Sequence, residues 1–268
     1  MAKFDGKYLK GLIGKVVVRR GKKAQIIQTV PRDVKQTQAT KKAAGVFGQG
    51  SILAGTIRNN LYALFGSNYD GEMINRLNTP VRAVLRQCYN LESEQFNFTE
   101  DSFSRLAGFE FNSKSLLINQ LWVQPKLQYS DNVLTLSIPE TQIPAQLKFP
   151  ATANICKFTL AVSQIALHDG LNHDPLVRQI EIHKNQGFIP AQEFSFDVAD
   201  GILCIAGIGL NYFALNNDVK TVINNKVFNP AGIIGAIITD GTFILPPPTA
   251  TPNRIEASPW QPVFNMKI

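Results

Sequence analysis

The sequence predicts an α+β fold: an N-terminal basic β-hairpin and helices, then an antiparallel β-sandwich, then an extended C-terminal arm. Three observations carry this. The opening GKVVVRRGKKAQ has the pattern of a tight basic hairpin. The hydrophobic period changes from 3.6 to 2 near residue 107. From Pro246 the chain turns proline- and threonine-rich. These changes divide the chain into a basic hairpin plus helical region at 1–106, a β-sandwich at 107–245 and an arm at 246–268. A chain of 268 residues, 44% of them hydrophobic, is long enough to bury a sizeable core.

In the hairpin, Lys15 to Arg19 is β-branched and extended, Arg20 to Lys23 is a turn containing Gly21, and Ala24 to Val30 returns. Pro31 ends it and a polar connector follows. Thr37 or Thr40 can then cap a helix. Its apolar face is spaced at three and four residues: Ala43, Ala44, Phe47, Gly50, Leu53, Ala54, Ile57, Leu61 and Leu64. Each glycine in that helix costs about 1 kcal/mol relative to alanine. The glycines, Gly48 and Gly55 in particular, therefore point to close helix packing rather than a break near residues 48–50. Two short helices are expected next, Glu72 to Leu77 and one opened by Pro80 with Val81, Val84, Leu85 and Cys88 as its stripe. A further short helix is expected near 101–106.

Beyond residue 107 the alternation at Leu134, Leu136 and Ile138, at Phe158, Leu160 and Val162, and at Ile202 to Leu210 predicts strands. Asn224-Asn225 and Asp240-Gly241 read as two-residue hairpin turns. The tail ends on Trp260, Val263, Phe264, Met266 and Ile268. That much apolar surface predicts docking, either on the chain's own body or on a neighbouring copy.

The net charge of +7 is a difference. Residues 1–58 hold thirteen Lys or Arg against two acids, a net +11, and the remainder is −4. The charged fraction, 18%, is below the roughly 25% usual for soluble domains, and 21 Asn and 17 Gln take up polar duty. This composition excludes collagen, global disorder and a disulfide scaffold. The apolar run at 11–18 is interrupted by Lys15 and lacks a cleavage site, so no signal peptide is expected. No run reaches the length of a membrane span. Synthesis in the cytoplasm is expected, with release as part of a particle or filament.

Catalytic motifs are not legible. GVFGQG at 45–50 lacks the Lys-Ser/Thr of a phosphate loop and lies in a helical pattern. Cys88, Cys156 and Cys204 sit in apolar patterns without metal-ligand spacing. His168 and His173, each beside an aspartate in HDGLNHD, fit a turn better than a metal site. His183 ends a later strand. No cofactor, metal or catalytic residue is expected. The basic residues Lys15, Arg19, Arg20, Lys22, Lys23, Arg32, Lys35, Lys41 and Lys42 suit contact with an acidic neighbouring subunit or a polyanion. Trp122 and Tyr129 are the candidate platforms for a carbohydrate.

The segments GKVVVRRGKKAQ, PRDVKQTQATKKAAGVFG, LAGFEFN, LTLSIPE and LCIAGIGLNYF resemble an uncharacterised family of bacterial proteins, sometimes phage-like, with a basic hairpin-helix start and a β-rich body. That resemblance implies a structural or assembly role and no activity. The leading expectation is a non-enzymatic structural subunit that self-assembles into a filament, tube or particle. Its alternative is a nucleic-acid-binding protein acting through the basic front, and the third a surface- or carbohydrate-binding module.

Overall fold

The structure, a computed structural model, describes residues 2–21, 24–30, 37–247, 250–251, 254–255 and 258–268. The chain divides into two compact units, Met1–Ala43 and Ala44–Ile268. The first is an antiparallel sheet of β1 (Lys3–Phe4), β2 (Leu9–Ile13), β3 (Val16–Arg20) and β4 (Gln25–Thr29), in that order. The expected hairpin is its β3–β4 half, closed by Gly21 N–H donating to the Ala24 carbonyl at 2.9 Å.

Helix α1 (Gln38–Asn60) begins in the first unit and runs into the second. Thr37 precedes it and accepts from the Thr40 N–H at 3.2 Å. The second unit continues with α2 (Tyr62–Phe65) and α3 (Met73–Cys88), then β5 (Lys126–Ser130), β6 (Val133–Ile138), β7 (Thr141–Gln142) and β8 (Ile155–Ala166). There follow β9 (Leu171–His173), β10 (Leu176–His183), β11 (Phe188–Ile189), β12 (Gln192–Asp197) and β13 (Leu203–Asn216). Last come β14 (Val219–Val222), β15 (Ala231–Ile238), β16 (Ala250–Thr251), β17 (Arg254–Ile255) and β18 (Trp260–Pro262).

The largest sheet runs β14–β13–β8–β9–β18, with β10 also on β8 and β15 also on β13. Strand alternation sends successive side chains to opposite faces. Ala161, Ile165, Leu203 and Ile205 join one core cluster with Leu53, Ile57, Leu61 and Leu64 and with Leu77, Val81 and Leu85 of α3. Phe158, Leu160, Val162, Cys204, Ala206 and Ile208 join another with Leu134, Leu136 and Ile138 of β6 and Phe196 of β12. The α+β class is therefore seen as mostly antiparallel sheet with a few helices. One face of the largest sheet is packed with helices, so a sandwich standing apart from the helical region is not what the core describes. The boundary expected at residue 106 does not separate compact units, because the helices and the strands after them share one.

Three local expectations differ. Residues 73–88 form one helix through Pro80. An internal proline costs about 3 kcal/mol. The buried stripe Met73, Leu77, Val81, Val84 and Leu85 spans the proline, and each such side chain returns about 1.5–3 kcal/mol on burial, so tertiary packing wins. The two-residue hairpin turns are not Asn224-Asn225 and Asp240-Gly241 but Asp131-Asn132 (φ 50° and 61°), between β5 and β6, and Asn217-Asp218 (φ 47° and 63°), between β13 and β14. Asn and Asp tolerate this left-handed backbone better than other residues with a side chain. Asn224 is instead buried: it accepts from Tyr212 N–H at 2.6 Å and donates to the Leu210 carbonyl at 2.8 Å.

Helix α1 is unbroken at 48–50, but its close approach is at neither Gly48 nor Gly55. A Cβ at Gly48 would meet nothing within 4 Å, and one at Gly55 only the Arg58 guanidinium at 3.6 Å. At Gly50 it would lie 2.5 Å from Arg82 Cγ and 3.1 Å from Arg82 Cα of α3. Arg82 also donates to Ser51 Oγ at 2.7 Å and stands 3.5 Å from the centre of the Phe47 ring. Gly48→Ala is expected to raise stability by about 1 kcal/mol through helix propensity. Gly50→Ala is expected to lower it by forcing α1 and α3 apart. Urea denaturation of the two variants reads both signs.

Glu110 holds the turn at 117–119, its carboxylate accepting the Leu117 N–H at 2.9 Å. Burial pushes its carboxyl up to about 7, against the opposing pull of the Leu117 and Ile118 amides and of Arg76. The folded state thus binds this proton more tightly than the unfolded chain. The associated stability is present below the ordinary value of 4.5 and is lost as pH rises through about 7. In thermal melts, Glu110→Gln is expected to gain on the parent protein progressively between those two pH values.

Candidate assembly surfaces

The N-terminal sheet has a register that sorts its side chains. Directly opposed residues share a face. Ile13, Val16 and Thr29 therefore lie together, as do Gly11, Val18 and Ile27 on that same face. The opposite face takes Leu12, Val17 and Gln28, with Arg19 beside Ile26. Among the described residues of this unit Val18 alone is buried, at 4% exposure, whereas Ile27 is 67% exposed. Phe4, Leu9, Leu12, Ile13, Ile26 and Val30 are exposed as well. Apolar side chains therefore stand in solvent on both sides of a small sheet.

The basic residues are spread around it. Lys15 sits exposed in the β2–β3 turn, and its carbonyl accepts the Val30 N–H at 2.8 Å. Arg19 and Arg20 leave opposite faces at the end of β3, and the Arg20 guanidinium lies 5.1 Å from the centre of the Tyr8 ring. Lys41 is exposed on α1. Lys22, Lys23, Arg32 and Lys35 lie outside the described residues, as does the side chain of Lys42. The strands β1 and β2 were not anticipated. Their only sequence signal is the short apolar pattern at 9–13, interrupted by Lys10 and by Gly11 with φ 121°.

The arm at Ser258–Ile268 seats on the second unit, to which it belongs. Strand β18 pairs with β9, placing Trp260 opposite His173 and Pro262 opposite Leu171. The Asp174 N–H donates to the Pro259 carbonyl at 2.9 Å, and the Val263 N–H to the Gly170 carbonyl at 2.8 Å. Farther on, Gln49 of α1 brackets the chain end, donating to the Asn265 carbonyl at 3.0 Å and accepting from Lys267 N–H at 2.8 Å. Trp260 is buried against Phe243, their ring centres 4.5 Å apart. Met266 and Ile268 are buried in the core under the helices, and Val263 packs beside them. Phe264 is 85% exposed. Of the two destinations open to the arm, this chain's own body holds four of its five apolar residues.

No protein-family model, curated protein or solved structure matches this chain.

The remaining sequence candidates are dispersed. Among the described residues no three His, Cys, Asp or Glu side chains gather as a metal site. The His173 ring packs edge-on against Trp260, and His183 lies 3.4 Å from Glu181. Cys156 and Cys204 are buried, which pushes their thiols up, away from reactivity. Tyr129 is half-buried in the core that β6 shares, with its hydroxyl bonded to Asn132, so it is no platform. Trp122 is exposed. Among the described residues no helix is long and apolar enough to cross a membrane.

Trp260→Ala is expected to cost about 3–5 kcal/mol, the usual range for removing a buried large aromatic. Phe264→Ala is expected to stay within about 0.5 kcal/mol. Chemical denaturation distinguishes them.

Proposed function

We propose that this chain is a non-enzymatic structural subunit whose N-terminal sheet joins copies into a filament, tube or particle. The observation that carries the reading is the sheet of Met1–Ala43, four strands long and apolar on both faces, with Val18 as its only buried described residue. A sheet is stabilised by burying a face against another layer. Covering Leu12, Ile13, Ile26 and Ile27 is worth about 1.5–3 kcal/mol each. Four such residues match the roughly 4–15 kcal/mol that association costs in lost freedom.

A second copy is the partner favoured by charge. Residues 1–43 carry twelve Lys or Arg and two Asp, a net +10, and the remaining residues are net −3. The nucleic-acid reading fits the charge but not the faces, since phosphates have no use for exposed isoleucine and leucine. In this reading the β-rich body is the rigid platform that the N-terminal units connect.

Size-exclusion chromatography with light scattering tests it. The parent chain is expected to run as a large species at low salt. Ile27→Asp and Leu12→Asp, one on each face, are each expected to shift it toward monomer while leaving the melting of the body unchanged. A parent that stays monomeric at high concentration overturns the reading. A monomer that instead retains duplex DNA with a steep salt dependence replaces it with the nucleic-acid alternative.

A further inference from the structure

The largest sheet covers most of its border. Along β15 the chain at 108–111 lies on the outer edge: Gly108 N–H donates to the Ile233 carbonyl, Ile233 N–H to the Phe109 carbonyl and Phe111 N–H to the Ala231 carbonyl, each at 2.8 Å. Beside β9 the edge is covered by β18. Among the described residues β10 and β14 pair on one side only, β10 with β8 and β14 with β13, and they stand at opposite borders of the same sheet. An unpaired strand edge is a template for another chain.

The ladder shows which backbone groups are open, because in an antiparallel pair alternate residues turn their N–H and C=O toward the partner. Lys184 N–H donates to the Asn154 carbonyl at 2.9 Å, in step with the β10–β8 register, so even-numbered residues of β10 face β8 and odd-numbered ones face outward. Two outward positions are plugged by side chains: His183 N–H donates to Gln186 Oε1 at 3.1 Å, and the Val177 carbonyl accepts from the Arg178 guanidinium at 3.2 Å. Gln179 and Glu181 lie between the plugs. At the other border Ile223 N–H donates to the Tyr212 carbonyl at 2.9 Å, in step with the β14–β13 register, so Lys220 and Val222 are the outward residues of β14. Among the described residues nothing bonds to the backbone of Gln179, Glu181, Lys220 or Val222, and all of them are exposed.

The two open edges match. The register carries one face across the sheet: Val222 opposes Phe213, Phe213 opposes Ile155, and Ile155 opposes His183. Lys220, Val222, Gln179 and Glu181 therefore project from that one face, where the Lys220 ammonium reaches Glu181 Oε2 at 2.7 Å. Lys157 of β8 is directly opposite Glu181 on its inner side, and among the described residues nothing opposes Glu181 on its outer side. Strand direction alternates through β14, β13, β8 and β10, so β10 runs opposite to β14.

We propose that β10 of one copy pairs antiparallel with β14 of the next, head to tail, so that the sheet continues from copy to copy. The register that joins all the open backbone groups sets Gln179 against Val222, Ile180 against Thr221 and Glu181 against Lys220 of the next copy. Gln179 and Val222 exchange two backbone bonds, and Glu181 and Lys220 exchange two more. The row then reads Lys157, Glu181, Lys220, alternating in sign, and opposite charges directly across a sheet are favourable. Each addition leaves β10 open at one end and β14 at the other. A head-to-tail contact of this kind propagates into a ring or an open filament rather than stopping at a dimer. It uses none of the N-terminal sheet and gives the proposed polymer a second contact.

The test uses the full chain carrying Leu12→Asp and Ile27→Asp together, which disables the N-terminal contact. In sedimentation velocity at low salt its mass is expected to rise with concentration past that of a dimer. Adding Glu181→Lys or Lys220→Glu is expected to weaken association about tenfold, since each sets like charges across the contact. Mixing the two charge variants in equal amounts is expected to restore it, because opposite charges then face each other between unlike copies, whereas a folding defect is not repaired by mixing. Gln179→Pro removes one outward N–H, which an edge strand tolerates, and is expected to weaken association while the melting of the body is unchanged. A Leu12→Asp, Ile27→Asp chain that stays monomeric up to its solubility, or growth that ends at a dimer, overturns the inference and leaves the N-terminal reading standing. Failure of the N-terminal reading shows separately, as equal masses for that chain and the parent. Association undiminished by both charge variants, or lost in both and not restored by mixing, overturns the inference as well.

Discussion

The second unit depends on a place where side chains are missing. Leu64, in the short helix α2, lies so near strand β13 that a Cβ on Gly209 would come within 2.2 Å of the Leu64 carbonyl oxygen, and one on Gly207 within 2.6 Å of its Cδ1. This close approach lets Leu53, Ile57 and Leu61 on one side and Leu77, Val81 and Leu85 on the other reach the face of the sheet. The strand accommodates it with an irregularity in its pairing with β15 between Ala206 and Gly207. Such irregularities bend a strand locally. Any added side chain there lifts the helices from the sheet, and each apolar residue then exposed forfeits about 1.5–3 kcal/mol.

A layer packed this closely has backbone groups that water cannot reach, and asparagines satisfy them. Asn229 donates to the Phe65 and Asn68 carbonyls, just past α2, and Asn112 donates to those of Asn68 and Lys226. Asn60 donates to Ser163 and Asn172, tying the end of α1 to the strands beneath. Asp70, also buried, accepts from Arg76 and from the Ser113 N–H. A buried polar group left unpaired costs about 1–3 kcal/mol. The high Asn content therefore has an internal task, where composition alone suggested only a low-charge surface.

The two units contrast in this respect. The second closes its core with its own C-terminal arm and pairs the amides of Asn60, Asn112, Asn224 and Asn229 internally. The first, a few short strands, leaves isoleucine, leucine and phenylalanine in solvent. Among the described residues of that sheet, Val18 alone is buried. Trp122 and Tyr129 are alike as exposed-aromatic candidates in sequence, and only their burial separates them, Trp122 standing exposed and Tyr129 half-buried in the core.

The sequence by itself determined the local elements. The hairpin around Gly21, the long helix with its stripe from Gly50 to Ile57, the alternating strands and the apolar-tipped arm follow from periodicity, turn residues and capping, all of which act over a few residues. Tertiary structure decided the rest. It carried α3 through Pro80 because buried side chains on both sides outweigh the lost hydrogen bond. It made Gly50, rather than Gly48 or Gly55, the point of helix contact because that is where Arg82 crosses. It returned the arm to its own body because Trp260, Met266 and Ile268 fit gaps left by distant strands and helices. Those outcomes are set by surfaces far apart in the chain, and no local pattern records which of them will meet.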